Sequence, residues 1–370
     1  MLEPLTGVYA KLAKAEVAGA QLAVDEINQN GGILGRETQL LIEDSANDVA
    51  TGTAKATQLI DRDGVDFILG DVNSAVALAV MRVTKEKRKL HIVTGGHTDE
   101  ITGNRCSWNV FRICKTTTME ANATADSLIS RFGKKWYFLT PDYVYGYALQ
   151  AAFERKLRDA GGAWAGQYLP LGTVDYSRAL VDAGDYRPGV LINLMAGDDQ
   201  ANSLEQIVRF GLTGDMAIGG ALFELESILS VPDRARIGWW TMEWWWNQPD
   251  NPRIKTFDET VRRRTGMAAS ARNWFGYVAT QALASVSNQQ KSLDSPVLAR
   301  ALQNYALLSD AALDPDRVFF RDSDHQLMST SFVGEVHPAQ SDTFDVFTTR
   351  AIVKADQVAK PGSCQLTFPG

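Results

Sequence analysis

The chain has 370 residues, 45% of them hydrophobic and 22% charged, which is the composition of a globular protein too long for one ordinary core and implies two domains. Its net charge of −7 comes without a basic cluster, which argues against a nucleic-acid partner, because phosphate contacts need grouped Lys and Arg. No stretch approaches the roughly 20 apolar residues that span a bilayer, and Met1-Leu2-Glu3-Pro4-Leu5-Thr6-Gly7 lacks the basic region and apolar core of a signal peptide, as expected of a cytosolic chain or a mature secreted one.

After Leu5-Thr6-Gly7-Val8-Tyr9, the residues Val17, Ala20, Val24 and Ile27 recur at helical spacing and predict a helix over 16–28, which Gly31-Gly32 stops. A strand over 38–43, a helix over 49–61, a strand over 65–69, a helix over 74–88 and a strand over 90–93 follow. This is a βαβ series, and it implies a parallel sheet with helices on both faces. A second series follows a strand over 108–113. Helices over 119–132, 146–159, 177–183, 198–210 and 224–230 alternate with strands over 135–139, 164–169, 190–195 and 216–218. In the tryptophan-rich stretch 238–246, an extended backbone points Trp240, Met242, Trp244 and Trp246 one way and Trp239, Thr241, Glu243 and Trp245 the other. Such rings build either a core or a pocket wall. Helices over 252–265, 271–286 and 296–302 return to the first lobe, and strands over 318–320, 330–336 and 344–353 complete the chain.

The turn Gly70-Asp71-Val72-Asn73-Ser74-Ala75 joins a buried strand to a helix, with Asn73 or Ser74 as N-cap. Unpaired N–H groups and the positive end of the helix dipole at such a start suit a carboxylate. A second turn, Thr94-Gly95-Gly96-His97-Thr98, follows the next strand, and successive strands of a parallel sheet end on one edge, so both turns face one crevice. Nucleophile-elbow, phosphate-loop, dinucleotide and zinc-protease motifs are absent, so no catalytic residue is assigned and no enzyme is expected. The acids Asp198, Asp199, Glu224 and Glu226 read as helix-start or solvated charge. Neither the cysteines Cys106, Cys114 and Cys364 nor the histidines His91, His97, His325 and His337 have metal-site spacing, so neither a metal nor a cofactor is expected. One disulfide is possible, with Cys106 and Cys364 as one pairing.

Leu5-Thr6-Gly7-Val8-Tyr9-Ala10, the run from Gly19 to Asn28 and Gly31-Gly32-Ile33-Leu34-Gly35 resemble the N-terminal pattern of type I periplasmic solute-binding proteins of the leucine/isoleucine/valine-binding family of ABC transporters. Glu43-Asp44, the turn from Gly70 to Ser74, Tyr143-Val144-Tyr145-Gly146 and Arg321-Asp322-Ser323-Asp324-His325-Gln326 are similar to its later landmarks. The resemblance implies an α/β fold of two Rossmann-like lobes around a cleft, joined by a three-crossing hinge near 112–117, 240–246 and 320–330. Residues 1–115 plus 245–322 then form one lobe and 116–244 plus 323–370 the other.

Carried across position by position, the resemblance places a ligand carboxylate at Ser74, flanked by Val72 and Asn73, and a second set of polar contacts at Gly95, Gly96 and His97. It adds an aromatic wall from Tyr145 and from Trp274 or Phe275, with Leu12, Cys114 and Lys115 at the border. The acid that amino-acid-binding members use for the ligand ammonium falls at Leu222, and a tyrosine position falls near Gly197. Without that acid an ammonium is poorly compensated in a closed site. The implied ligand is therefore a small organic carboxylate, with an aromatic acid as one class. A branched-chain amino acid or amide, or a sensor role with the same fold, is the alternative. The resemblance further implies a periplasmic monomer that hands its ligand to the permease subunits of an ABC importer.

Overall fold

Short apolar runs become buried parallel strands because helices cover both faces of their sheets. All four residues of Leu90–Val93 are buried, a continuous pattern that fits a doubly covered parallel strand better than one open to solvent. The computed structural model describes residues 1–248, 251–360 and 362–369. Within it the chain divides into two compact units, the first comprising Met1–Lys115, Trp246–Ser329 and Lys360–Gly370 and the second Thr116–Trp245 and Thr330–Ala359.

In the first unit Phe67–Leu69, Leu90–Val93 and Val110–Arg112 form a parallel sheet in that order. The helix Ser74–Glu86 begins where Asn73 Oδ1 accepts the N–H groups of Ala75 and Val76. The predicted strand over 38–43 is corrected. Only Glu43–Asp44 pairs, in parallel with Leu2–Glu3, while Leu41 and Ile42 are exposed beside a cavity of about 410 Å³ lined in part by Met1, Leu40, Val65 and Phe67. A β-pattern needs a ladder partner, and Leu2–Glu3 supplies only two residues.

Two helices far apart in sequence, Ala10–Gln29 and Ala271–Gln290, pack together in this unit. Each presents a glycine to the other's backbone. A Cβ at Gly19 would lie 1.9 Å from the Asn273 carbonyl oxygen, and one at Gly276 would lie 2.0 Å from that of Glu16. Asn273 completes a capping box with Ser270, and its side chain also donates to the Ala15 carbonyl at 2.8 Å.

The second unit holds a seven-stranded sheet in the order Phe347–Val353, Ser331–Val336, Trp239–Met242, Ala217–Leu222, Val190–Asn193, Lys135–Pro141, Ala163–Leu169. The tail strands pair antiparallel and the remainder parallel. The tryptophan-rich stretch yields a four-residue strand whose residues are all buried. Trp239 joins the core built by Trp136, Phe138, Leu149 and Phe153, so that ring serves packing.

The tail assignment is also corrected, because 323–329 and 360–370 belong to the first unit. His325 donates from Nδ1 to the Val110 carbonyl at 2.9 Å and stacks on Phe111 at 3.8 Å, and Cys364 is joined to Cys106 by a disulfide. The chain thus passes between units four times, one more than the three expected. Cys114 is buried and takes no part in the disulfide.

Two consequences are measurable. Gly276→Ala forces a methyl into the Glu16 backbone and is expected to lower unfolding free energy in urea by about 1–3 kcal/mol or more, as overpacking does; an unchanged midpoint would refute the close crossing. Cys364→Ser opens a loop of 258 residues and should cost about 2–5 kcal/mol, with faster proteolysis of the C-terminal segment than in the parent protein.

Candidate functional site

The first turn follows Phe67–Leu69 and is pinned from beneath. Across a cis Gly70–Asp71 peptide, the Gly70 carbonyl accepts from His91 Nε2 at 2.6 Å, the Val72 N–H donates to Glu3 Oε2 at 3.2 Å and the Asn73 N–H donates to Asp71 Oδ1 at 2.6 Å. Asn73 is the helix cap, its side-chain oxygen accepting from Ala75 and Val76 and its amide donating to Asn47 at 2.7 Å. That cap occupies N–H groups the sequence left open for an anion, so the hydroxyl of Ser74 becomes the main polar group the helix start offers. Ser74 and Val72 are buried.

The second turn is joined to the first at one point, where the Thr98 N–H donates to Ser74 Oγ at 3.2 Å. Thr98 also carries a buried hydroxyl with no hydrogen-bond partner among the described residues. Behind the turn lies Arg112, fully buried, which donates from Nη1 to the carbonyls of Thr98 at 2.6 Å and Gly96 at 3.3 Å, and from Nε to Gln326 at 2.7 Å. The Cys114 thiol also donates to the Gly96 carbonyl. The Gly96 carbonyl thus serves the scaffold. Gly95 sits on a buried ion pair, and a Cβ there would lie 2.3 Å from Arg272 Nη1 and 2.6 Å from Glu16 Oε1.

Of the two candidate aromatics, Phe275 lies beside His97. Its ring lies 6.5 Å from that of His97, whereas Trp274 is buried with its indole N–H on the Ala312 carbonyl at 2.8 Å, a core tryptophan. Leu12 is likewise fully buried, on the helix Ala10–Gln29.

Three carboxyls gather under these turns. Glu16 pairs with Arg272 at 2.7 Å, Glu3 takes the Thr94 hydroxyl at 3.1 Å, and Asp71 lies alongside, all buried. Burial, then the charges of Glu16 and Asp71, raise the Glu3 carboxyl well above its ordinary range, and burial pushes Asp71 up to about 8. Burial also pushes His91 down to about 4, so its ring is neutral at pH 7 and donates to Gly70. Sequence reading missed Arg112, Thr98, Arg272 and the acid cluster; the only signal for them was charge inside apolar runs.

The second unit places Tyr145 on the helix Val144–Asp159 and Leu222 at the end of Ala217–Leu222, both inside the apolar core with Leu194 and Ala221. Gly197 opens the helix Gly197–Arg209, its carbonyl accepting from Ser227. Of the two readings given for the acids, helix-start charge or solvated surface, the solvated one does not hold for three of them. Asp199, Glu224 and Glu226 do lie at helix starts but are buried, and Asp199, desolvated, is pushed up to about 6. Glu120 and Glu243 are buried too, with carboxylate oxygens within 4.8 Å of each other.

Residues 1–342 match the family model described as periplasmic binding protein. The chain is 26% identical over 317 residues to Leu/Ile/Val-binding protein homolog 1 of Brucella melitensis, covering 81% of this chain and 80% of that protein. Among solved structures it is similar to a periplasmic binding protein from Burkholderia mallei, with a TM-score of 0.91, 22% identity, and 98% and 96% of the two chains covered. It is also similar to an ABC-transporter solute-binding protein from Rhodopseudomonas palustris in complex with benzoate, with a TM-score of 0.88, 19% identity, and 99% and 98% covered. Among the described residues no helix is long and apolar enough to cross a membrane. The chain belongs to the periplasmic binding protein family, as a non-enzymatic solute-binding component of an ABC transporter.

Proposed function

We propose that this protein binds a small organic carboxylate, with an aromatic acid as the favoured class, and delivers it as a monomer to a permease without any nucleic-acid partner. The observation that carries this reading is the junction of the two turns. Ser74 Oγ accepts the Thr98 N–H, which leaves the Ser74 hydroxyl hydrogen and the unpartnered Thr98 hydroxyl next to each other at a helix start. Two hydroxyl donors and a positive dipole end suit one carboxylate. Phe275 and His97 supply an apolar, ring-shaped flank in the same unit. The benzoate-bound relative lends the aromatic class its support.

A second reading keeps the carboxylate and adds an ammonium. It draws on the Leu/Ile/Val-binding relative.

The test is a thermal-shift and calorimetric comparison of benzoate, 3,4-dihydroxybenzoate, leucine and valine on protein freed of bound solute by unfolding and refolding. A ligand at about 100 times its Kd adds roughly 2.7 kcal/mol of stability. Ser74→Ala and Thr98→Val are each expected to weaken binding about tenfold, the loss of a hydrogen bond to a charged group. Stabilisation by the benzoates alone supports the acid without amine, and stabilisation by leucine or valine selects the second reading. If no carboxylate stabilises the protein, or Ser74→Ala binds as tightly as the parent, the site assignment falls.

A further inference from the structure

Under the two turns the first unit hides a carboxyl cluster that solute binding as such does not require. Glu3 is its bridge. One carboxyl oxygen accepts the Val72 N–H of the first turn at 3.2 Å and the other accepts the Thr94 hydroxyl of the second at 3.1 Å. Asp71 accepts the Asn73 N–H, the residue that caps the helix bearing Ser74. Glu16 turns one oxygen to Arg272, and its other oxygen, buried, has no donor among the described residues while Glu3 lies within hydrogen-bond reach. Two carboxyl groups in such contact are compatible only if a proton lies between them.

We propose that Glu3 and Asp71, in their protonated forms, are positioning residues that hold the turns 70–74 and 94–98 together, and that removing their protons in alkaline solution releases both turns. The case rests on charge balance. Facing Glu3 and Asp71 are Glu16 from the helix Ala10–Gln29, Glu43 and Asp44 from the neighbouring strand, Arg272 from the helix Ala271–Gln290, the Met1 amine, and His91, which is neutral. Arg272 is the lasting cation in this set, since burial pushes the Met1 amine down to about 6. One buried guanidinium neutralises one carboxylate, so Glu3 and Asp71 stay folded in place as neutral acids.

The sign follows. The folded unit keeps protons that the unfolded chain releases near its ordinary carboxylate range, so stability from this cluster falls as pH rises toward about 8, the value for Asp71, and the turns carry the strain above it. Ligand affinity falls with them, a step that rests on the proposed reading of Ser74 and Thr98.

The experiment is hydrogen exchange by mass spectrometry, without ligand, from about pH 6 to about pH 10 and corrected for intrinsic rates. In the parent protein, protection of 70–76 and 94–98 should fall together by about tenfold or more above about pH 8, while strands of the second unit hold theirs. The neutral pair Glu3→Gln/Asp71→Asn should stay within about twofold across the range. Glu3→Leu should lose protection of both turns at every pH, with a cooperative melt showing that the fold persists. A flat parent profile, a double variant that follows the parent, or a Glu3→Leu protein protected like the parent would each overturn the proposal. Benzoate calorimetry on the same samples separates the two claims. Turns that respond in a protein that binds no carboxylate leave the positioning role standing and remove the ligand reading.

Discussion

The buried ion pair between Glu16 and Arg272 is the contact on which the first unit depends. It joins residues 256 apart in sequence, at the crossing where two helices approach closely enough that only glycine fits at 19 and 276. Taking both charges out of water is expensive, and removing one partner alone would leave the other uncompensated. The pair therefore fixes both helices, and Gly95 of the second turn rests directly on it. Core packing and the geometry of the candidate site share the same atoms, so a change that loosens the crossing also moves the turn.

Arg112 plays the corresponding part from the other side. Its guanidinium gathers the carbonyls of Gly96 and Thr98 together with the Gln326 side chain, which comes from a segment more than 200 residues later. His325, next to Gln326, locks that segment to Val110, and the Cys106–Cys364 disulfide draws the C-terminal segment into the same unit. The second turn thus meets two buried arginines, Arg112 at the carbonyls of Gly96 and Thr98 and Arg272 beneath Gly95. Such a loop is rigid before any ligand arrives, which lowers the ordering cost of binding.

The alternation of strands and helices was legible because each strand is a short apolar run and each helix a 3.6-residue pattern, both local signals. The turn at 70–75 was legible for the same reason, through glycine and a capping Asn. What escaped the sequence was non-local. Nothing near Arg112 or Arg272 announces a partner two hundred or more residues away, and Glu3 and Glu16 look like ordinary surface acids until the chain folds over them. Trp274 and Phe275 differ by one helical step, about 100° of rotation, which periodicity alone does not assign. The stretch 38–43 has the right side chains for a strand, yet Leu41 and Ile42 stay exposed because a ladder is a property of two segments.

The same electrostatics bear on what the site can accept. Three ionised carboxyls directly beneath Ser74 would repel an anionic ligand through a low-dielectric core, whereas two protonated acids and one compensated ion pair leave that core near neutral. Proton retention by Glu3 and Asp71 therefore favours the same state of the turn as the carboxylate site proposed at Ser74. In the second unit, Glu120 and Glu243 place two acids within 4.8 Å. Both are buried, so the second unit too carries acids in its interior.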